Sequence, residues 1–426
     1  MTSALIADLE WRGLIAQTTD REALLEQLNS GSTAFYIGFD PTAPSLHLGN
    51  LVVLLVMRRF QLAGHKPLPL VGGATGLVGD PSGRNEERSL NDTEAVEQWV
   101  GRIRSQLSRF LDFDSSDNAA VMTNNLDWTK PVSALEFLRD IGKHFSVNQM
   151  LSKDSVSSRL ESGGISYTEF SYQVLQAFDF LELYRRHGCT LQMGGSDQWG
   201  NIVAGLDLIR KVEGGSAHCL TIPLLMKSDG TKFGKTAGGS VWLDPEMTSP
   251  YAFYQFWLNS DDADVPRYLK VFSFKSHDEI EELIAAHESN PGARQAHREL
   301  AREMTILVHG VEECEAAERA AKALFGQGDL SELDERTLAA ALAQLPRTTV
   351  NAGEPLPTWV DLLAATGVVE SKSAARRIVK EGGAYLNNEK VLSEAFAPAQ
   401  ESLLFGRFLL LRKGKRDLAT VEVVPN

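Results

Sequence analysis

The 426-residue chain predicts an α/β fold on a parallel sheet, followed by an α-helical region and a small terminal module. Three observations predict it. Near the N-terminus a strand-like run, a turn, a long apolar helix and a second strand follow one another, with glycines just past the strands. From Ser249 the composition changes to successive amphipathic helices. Pro346, Pro355 and Pro357 then bracket a stretch with little periodicity, the best linker candidate in the chain.

The elements follow in order. Helices over 5–14 and 20–28 lead into the strand Phe35-Tyr36-Ile37-Gly38-Phe39. The turn Asp40-Pro41-Thr42-Ala43-Pro44-Ser45 precedes a helix from about 48 to 63. A second strand over 68–71 runs into Gly72-Gly73-Ala74-Thr75-Gly76 and Gly79-Asp80-Pro81-Ser82-Gly83-Arg84. Segments 92–112 and 131–161 are expected to be helical. A further helix begins near Tyr167, and a short strand over 191–193 ends at Gly194-Gly195-Ser196-Asp197-Gln198-Trp199-Gly200. Such sheets bind ligands at the carboxyl ends of their strands, where these turns sit. The second region reads as helices over 251–258, 265–272, 278–288, 293–309 and 312–324. In the terminal module Ser371 can cap a helix ending at Gly382-Gly383, and Asn387-Asn388 makes a hairpin-like turn.

Composition narrows the classes. A hydrophobic fraction of 43% and a charged fraction of 23% are ordinary for a globular protein. No stretch approaches the ~20 apolar residues of a membrane-spanning helix. Asp8, Glu10, Asp20 and Glu22 near the N-terminus are unlike a targeting peptide. Three widely spaced cysteines offer neither a disulfide framework nor metal-ligand spacing, so a reducing, cytoplasmic setting without structural zinc is expected. The net charge is −14, yet residues 358–426 hold ten Lys/Arg against eight Asp/Glu. An acidic body with a mildly basic tail fits local contact with nucleic acid, and equally fits none.

Two separated motifs suggest a site that grips ATP from two sides. His47-Leu48-Gly49-Asn50 opens a helix, where unpaired backbone N–H groups favour an anion. Lys232-Phe233-Gly234-Lys235-Thr236 lies in a Gly-rich loop and brings two ammonium groups. The plain alternatives are a helix-start histidine bonded to backbone and a solvated lysine loop. On the helix after Ser166, Phe170, Val174, Phe178 and Leu181 form one stripe, with Tyr172, Gln176 and Asp179 almost opposite. A phenol, an amide and a short carboxylate suit a pocket wall as well as a solvent face. Asp40, Asp80 and Asp197 occupy turns after strands, and Gly38, Gly49 and Gly195 let backbone approach a ligand. In the terminal helix Lys372, Arg376, Arg377 and Lys380 share one arc. That arc suits phosphate contact, although a solvated amphipathic helix explains it as simply.

The runs Tyr36-Ile37-Gly38-Phe39-Asp40-Pro41-Thr42, His47-Leu48-Gly49-Asn50, Val71 to Gly83, Gly194 to Asn201 and Lys232 to Thr236 resemble those of the bacterial tyrosyl-tRNA synthetases, a family of class I aminoacyl-tRNA synthetases. The resemblance covers essentially the whole chain. It implies a Rossmann-like catalytic domain with a helical insertion over 1–248, an α-helical anticodon-side domain over 249–345, a linker over 346–357 and an α+β, ribosomal-protein-like RNA-binding module over 358–426. It implies that ATP with Mg²⁺ and L-tyrosine give tyrosyl-adenylate and pyrophosphate, and that the tyrosyl group then passes to tRNA(Tyr). No protein-bound metal or organic cofactor is implied, and a homodimer is. By motif, Tyr36 and Asp179 would bind the substrate phenol, and Asp80, Tyr172 and Gln176 its ammonium. Gly38, Asp40, Gly49, Asn50, Gly195, Asp197 and Gln198 would line the ATP and adenylate. Thr42, His47, Lys232, Lys235 and Thr236 would stabilise the pyrophosphate, with Arg84 and Arg88 as mobile helpers.

This sequence departs from the commoner patterns in places. Asn50 stands where the usual class I signature has a second histidine, and Phe233, Gly234 and Thr236 replace Met, Ser and Ser. Ile37 and Val53 are apolar where some members place Cys and Thr. Arg84 replaces a lysine, and the two cations are not interchangeable. A tryptophan-specific relative is the nearest rival, and the Tyr36/Asp179 pair argues against it. A synthetase-like protein without catalysis is the other; His47, Lys232 and Lys235 argue against that.

Overall fold

The computed structural model describes residues 2–82, 91–114, 117–153, 156–157, 160, 164–236 and 239–425. They divide into two compact units, Met1–Asp244 with Asp261–Pro291, and Pro245–Ser260 with Gly292–Asn426.

The first unit opens with α1 (Thr2–Trp11), β1 (Gln17–Thr18) and α2 (Arg21–Ser30). Its six-stranded sheet then adds β2 (Ala34–Phe39), β3 (Lys66–Val71), β4 (Thr123–Asn124), β5 (Leu191–Gly195) and β6 (His218–Ile222) in the order β1-β6-β5-β2-β3-β4. Every pairing is parallel except β1 with β6. The chain steps from β2 to β3 and β4 on one side, then returns to β5 and β6 on the other. The crevice at this reversal, beyond the carboxyl ends of β2 and β5, is where such a sheet leaves room for a ligand.

Between β2 and β3 runs α3 (Leu48–Leu62), whose Leu51, Leu54, Leu55 and Val56 are buried. After β3 come α4 (Thr93–Leu107) and, before β5, the 21-residue α5 (Tyr167–His187). Ser166 caps α5 by accepting from the Glu169 N–H, and Gly188 ends it in the left-handed region. The apolar stripe of α5 packs into a core with Tyr36, Leu68 and Leu70 of the sheet. Next come α6 (Trp199–Glu213) and the two-stranded ribbon β7 (Lys235–Thr236) with β8 (Gly239–Ser240).

Segment 131–161 is helical, as expected, but broken into pieces. Its described residues form short pieces, Ala134–Glu136, a π turn over Phe137–Ile141, a 3₁₀ turn over Gly142–His144 and Val147–Leu151. The reason is the lack of a sustained buried stripe: Leu135, Leu138, Val147 and Leu151 are exposed, so packing does not hold one long helix together.

The second unit contains α7 (Pro250–Leu258), while α8 (Val265–Phe272) and α9 (His277–Ser289) return to the first. Its other helices are α10 (Gln295–His309), α11 (Val311–Leu324), α12 (Glu335–Leu342), α13 (Trp359–Ala365) and α14 (Lys372–Lys380). The expected linker is corrected. Arg347–Asn351 forms β9, which pairs in parallel with β13 (Asp417–Val424) at the edge of a five-stranded sheet. That sheet also holds β10 (Ala384–Leu386), β11 (Glu389–Lys390) and β12 (Phe408–Lys413). The Pro-bracketed run carries Thr348, Thr349 and Val350, β-branched residues whose preference needs a partner strand to show itself.

Candidate active site

At the sheet reversal lies a cavity of about 350 Å³. Tyr36, Gly38 and Asp40 line it from β2 and its turn, and Thr42, His47, Gly49 and Asn50 from the start of α3. Asp80 comes from the turn region after β3, Gly195, Asp197 and Gln198 from the end of β5, and Tyr172, Gln176 and Asp179 from α5. The polar stripe of α5 is thus a pocket wall. Lys232, Lys235 and Thr236 are exposed on the neighbouring loop, and Arg84 and Arg88 lie outside the described residues.

The inner end is built from buried polar groups. Asp179 is 2% exposed and accepts from Trp128 Nε1 at 2.8 Å and Asn125 Nδ2 at 3.0 Å. Burial still pushes its carboxyl up to about 7 against these two donors. The Tyr36 hydroxyl is buried and has no hydrogen-bond partner among the described residues, and the same holds for Gln176 Oε1 and Gln192 Oε1. Buried polar atoms without partners cost stability, so their clustering in one cavity marks a surface made for a polar ligand.

A second layer fixes the carboxylates. Asp40 accepts from Thr75 Oγ1 and from the Tyr172 hydroxyl, both at 2.6 Å. Asn125 donates to Thr75 Oγ1 at 2.9 Å and accepts from the Ala74 N–H at 2.7 Å, tying the Asp40 and Asp179 supports together. Gly72 is required here: a Cβ would lie 2.0 Å from Asp40 Oδ1 and 2.3 Å from Thr75 Oγ1. On the other wall Gln198 Nε2 donates to Asp80 Oδ2 at 2.6 Å, and Asn201 donates to Gln198 Oε1 at 3.2 Å. Burial, and then the charge of Asp80, raises the carboxyl of Asp197. So many carboxylates in one cavity produce a field that favours a ligand cation.

The mouth is organised differently. His47 Nδ1 accepts from the Gly49 N–H at 3.0 Å and the Asn50 N–H at 3.4 Å, while Asn50 Oδ1 accepts from the His47 N–H at 3.1 Å. This capping box occupies the backbone donors expected to hold an anion, which corrects that expectation. Because Nδ1 accepts, the neutral ring carries its proton on Nε2, leaving that atom as the donor. Burial, and then the nearby Lys235 charge, lowers the His47 pKa and keeps it neutral. Lys232 in turn pulls the Asp197 carboxyl down, so the loop charges are felt on both sides of the mouth. The loop is joined to α3 through Val241, which donates to Gly234 O at 2.9 Å and accepts from the Leu48 N–H at 3.0 Å. Gly234 has φ +75°, and a Cβ there would come within 3.0 Å of the Leu48 Cβ.

In the terminal module each cation of the α14 arc has a carboxylate within 4.0 Å. Lys372 meets Asp361 at 2.7 Å, Arg376 and Lys380 meet Glu394 at 3.9 and 3.3 Å, and Arg377 meets Glu381 at 4.0 Å. Sequence reasoning missed Thr75, Asn125, Trp128, Gln192 and Asn201. For Asn125 and Trp128 the only trace is their type, a polar and an aromatic donor in a short segment of little periodicity. Nothing in the pattern aims them at Asp179.

Comparison with known proteins bears on this geometry. Residues 28–326 match the family described as tRNA synthetases class I (W and Y), and residues 337–421 match the tyrosine--tRNA ligase SYY-like C-terminal domain. The chain is 62% identical to a tyrosine--tRNA ligase of Streptomyces coelicolor, over 98% of this chain and 99% of that one. It is 61% identical to that of Streptomyces avermitilis, with the same coverage. Among solved structures, a C-terminally truncated mitochondrial tyrosyl-tRNA synthetase from Aspergillus nidulans superposes with a TM-score of 0.68 at 32% identity. That match covers 75% of this chain and 94% of the other.

Proposed function

We propose a division of labour among these residues from one premise: the chain belongs to the tRNA synthetases class I (W and Y) and joins tyrosine to tRNA(Tyr) using ATP. Tyrosine is activated to tyrosyl-adenylate with release of pyrophosphate, and the tyrosyl group then passes to the 3′-terminal adenosine of the tRNA.

The single observation that carries the site reading is the unpartnered Tyr36 hydroxyl, buried in the cavity that Asp179 also lines. Tyr36 donates to the substrate phenol oxygen, and Asp179 accepts a hydrogen bond from the phenol O–H. Phenylalanine in the same place leaves the Tyr36 hydroxyl without a partner, at a cost of about 1–3 kcal/mol, and removes one donor from Asp179. The α-ammonium sits against Asp80, Tyr172 and Gln176, whose free Oε1 accepts from it. Gly38, Asp40, Gly49, Asn50, Gly195, Asp197 and Gln198 line the nucleotide. The substrate carboxylate is already a nucleophile, so it attacks the α-phosphorus without a general base. Thr42, His47 Nε2–H, Lys232, Lys235 and Thr236 stabilise the charge that grows on the departing pyrophosphate, with Arg84 and Arg88 in support. Mg²⁺ enters with ATP as part of the substrate.

Catalysis resides in 1–248, anticodon-side contacts in 249–345 and RNA contact in 358–426, with β9 counted as part of the last module's sheet. Lys372, Arg376, Arg377 and Lys380 face the tRNA backbone while sharing their charge with the carboxylates beside them. A homodimer is supported by exposed Leu135, Leu138, Val147 and Tyr167, a concentration of large apolar side chains in one stretch. Among the described residues no helix is long and apolar enough to cross a membrane, in keeping with work in the cytoplasm.

Pyrophosphate exchange with tyrosine, phenylalanine and tryptophan tests the site reading. Only tyrosine should support it in the wild type, and Asp179→Asn should raise the tyrosine KM. Exchange with phenylalanine as efficient as with tyrosine would sink the phenol assignment. Truncation at residue 345 should spare exchange and impair tRNA charging; unchanged charging kinetics would remove the module from tRNA binding.

A further inference from the structure

The loop lysines are exposed, yet the loop is held at three points by one helix, α8. Asp264, 2% exposed at the N-terminus of α8, accepts from the Ser228 N–H at 2.9 Å. Arg267 donates to Asp264 Oδ1 at 3.0 Å and also to Met226 O, and Met226 bridges to Lys232 across the hairpin. Between the two lysines, Phe233 is 6% exposed and packs on Tyr268 and Phe272 of α8, with ring centroids 5.0 and 5.2 Å away.

The far end of α8 is fixed to the helix that carries His47. Ser273 O, at the C-cap of α8, accepts from Arg59 at 2.6 Å and from Arg12 at 2.8 Å. Arg12 also donates to Lys270 O at 2.9 Å and pairs with Asp8 at 2.8 Å. Two nearly buried guanidinium groups at a helix C-terminus satisfy its orphan carbonyls and oppose its dipole. Arg59 stands in the last turn of α3, and His47 caps the first. One rigid helix thus holds a phosphate-facing donor at its start and the platform of the lysine loop at its end.

We propose that Asp264, Arg267 and Phe233 are positioning residues that set the distance of Lys232 and Lys235 from the departing pyrophosphate, with the Arg12/Arg59 clamp registering α8 against α3. This rests on the transition-state role proposed for the two lysines. Burying Phe233 makes the loop's midpoint an anchor, so the flanking ammonium groups move about a fixed point. Misplacing a stabilising charge by about 1 Å costs up to ~10²-fold in rate, without weakening a ligand bound elsewhere in the pocket.

The test is a set of double-mutant cycles in the full chain, read as the single-turnover rate of adenylate formation and as tyrosine affinity. Phe233→Ala and Asp264→Ala should each slow adenylate formation about tenfold or more, with tyrosine affinity within about twofold of wild type. Phe233→Met, which keeps an apolar anchor, should restore most of the rate. In a Lys235→Ala background both losses should shrink, because one of the two charges they position is gone. Arg267→Ala, at a half-exposed site that is safe for folding, should show a smaller loss with the same non-additivity. Fully additive losses, or a parallel fall in tyrosine affinity, overturn the proposal. A Lys235→Ala variant with an unchanged rate instead overturns the lysine role on which it rests.

Discussion

The inner end and the mouth of the active-site cavity use polar groups in opposite ways. At the inner end Asp179, Asn125, Trp128, Thr75 and Asp40 form one buried chain of hydrogen bonds, with the Tyr36 hydroxyl and Gln176 Oε1 left open. At the mouth Lys232, Lys235 and Thr236 are exposed, and order comes from an apolar anchor and a capped helix start. The difference fits the chemistry proposed for each end. Recognising a neutral phenol requires preorganised partners that water cannot replace. Stabilising a charge that exists only in the transition state requires cations that stay hydrated until it forms.

The comparison breaks first at the mouth. Lys235→Ala should lower the rate of adenylate formation by ~10²–10³-fold while tyrosine affinity stays within about twofold. Rapid-quench kinetics alongside equilibrium binding would measure both, and equal losses would erase the distinction between the two ends. At the inner end Asp179→Asn should weaken tyrosine binding by roughly 5–150-fold and leave the rate at saturation less affected. Its pH behaviour sharpens the point. With the Asp179 carboxyl at about 7 in the folded chain against 3.8, the folded state holds the extra proton between those values. Global stability therefore falls as pH rises through that window, while tyrosine affinity rises towards pH 8 as the acceptor ionises. Calorimetric titration should find that rise in the wild type and not in Asp179→Asn.

A smaller effect is expected behind the wall. Gly72→Ala should cost about 1–3 kcal/mol of stability, because its methyl collides with Asp40 and Thr75, and should weaken ligand binding as well. A thermal midpoint equal to wild type would show that this layer yields. The smallest effect belongs to α14. Lys380→Ala should change tRNA affinity by less than about threefold and the salt slope by less than one, since its charge is already shared with Glu394. A larger loss in filter binding would mean that the carboxylate is displaced in the complex.

Much of the fold was legible because its signals are local. The helix start after Ser166, the opposed stripes of α5 and the Gly-ended strands each follow from a few neighbouring residues. Two expectations failed for want of long-range information. Arg347–Asn351 becomes a strand only because β13 is available. The His47 ring takes the backbone donors that the helix start was expected to offer a phosphate.

The sequence by itself determined the strand–turn–helix succession around β2 and β3, the residue types at the strand ends and the two motifs proposed to face ATP, since helix period, turn chemistry and side-chain identity are properties of short windows. Tertiary structure alone decided which polar atoms would be left without partners. Tyr36 is a buried strand residue like its neighbours until Asp179, Asn125 and Trp128 arrive from distant segments and satisfy one another. Burial removes water as a substitute partner, and that sets this hydroxyl apart as the proposed recognition site.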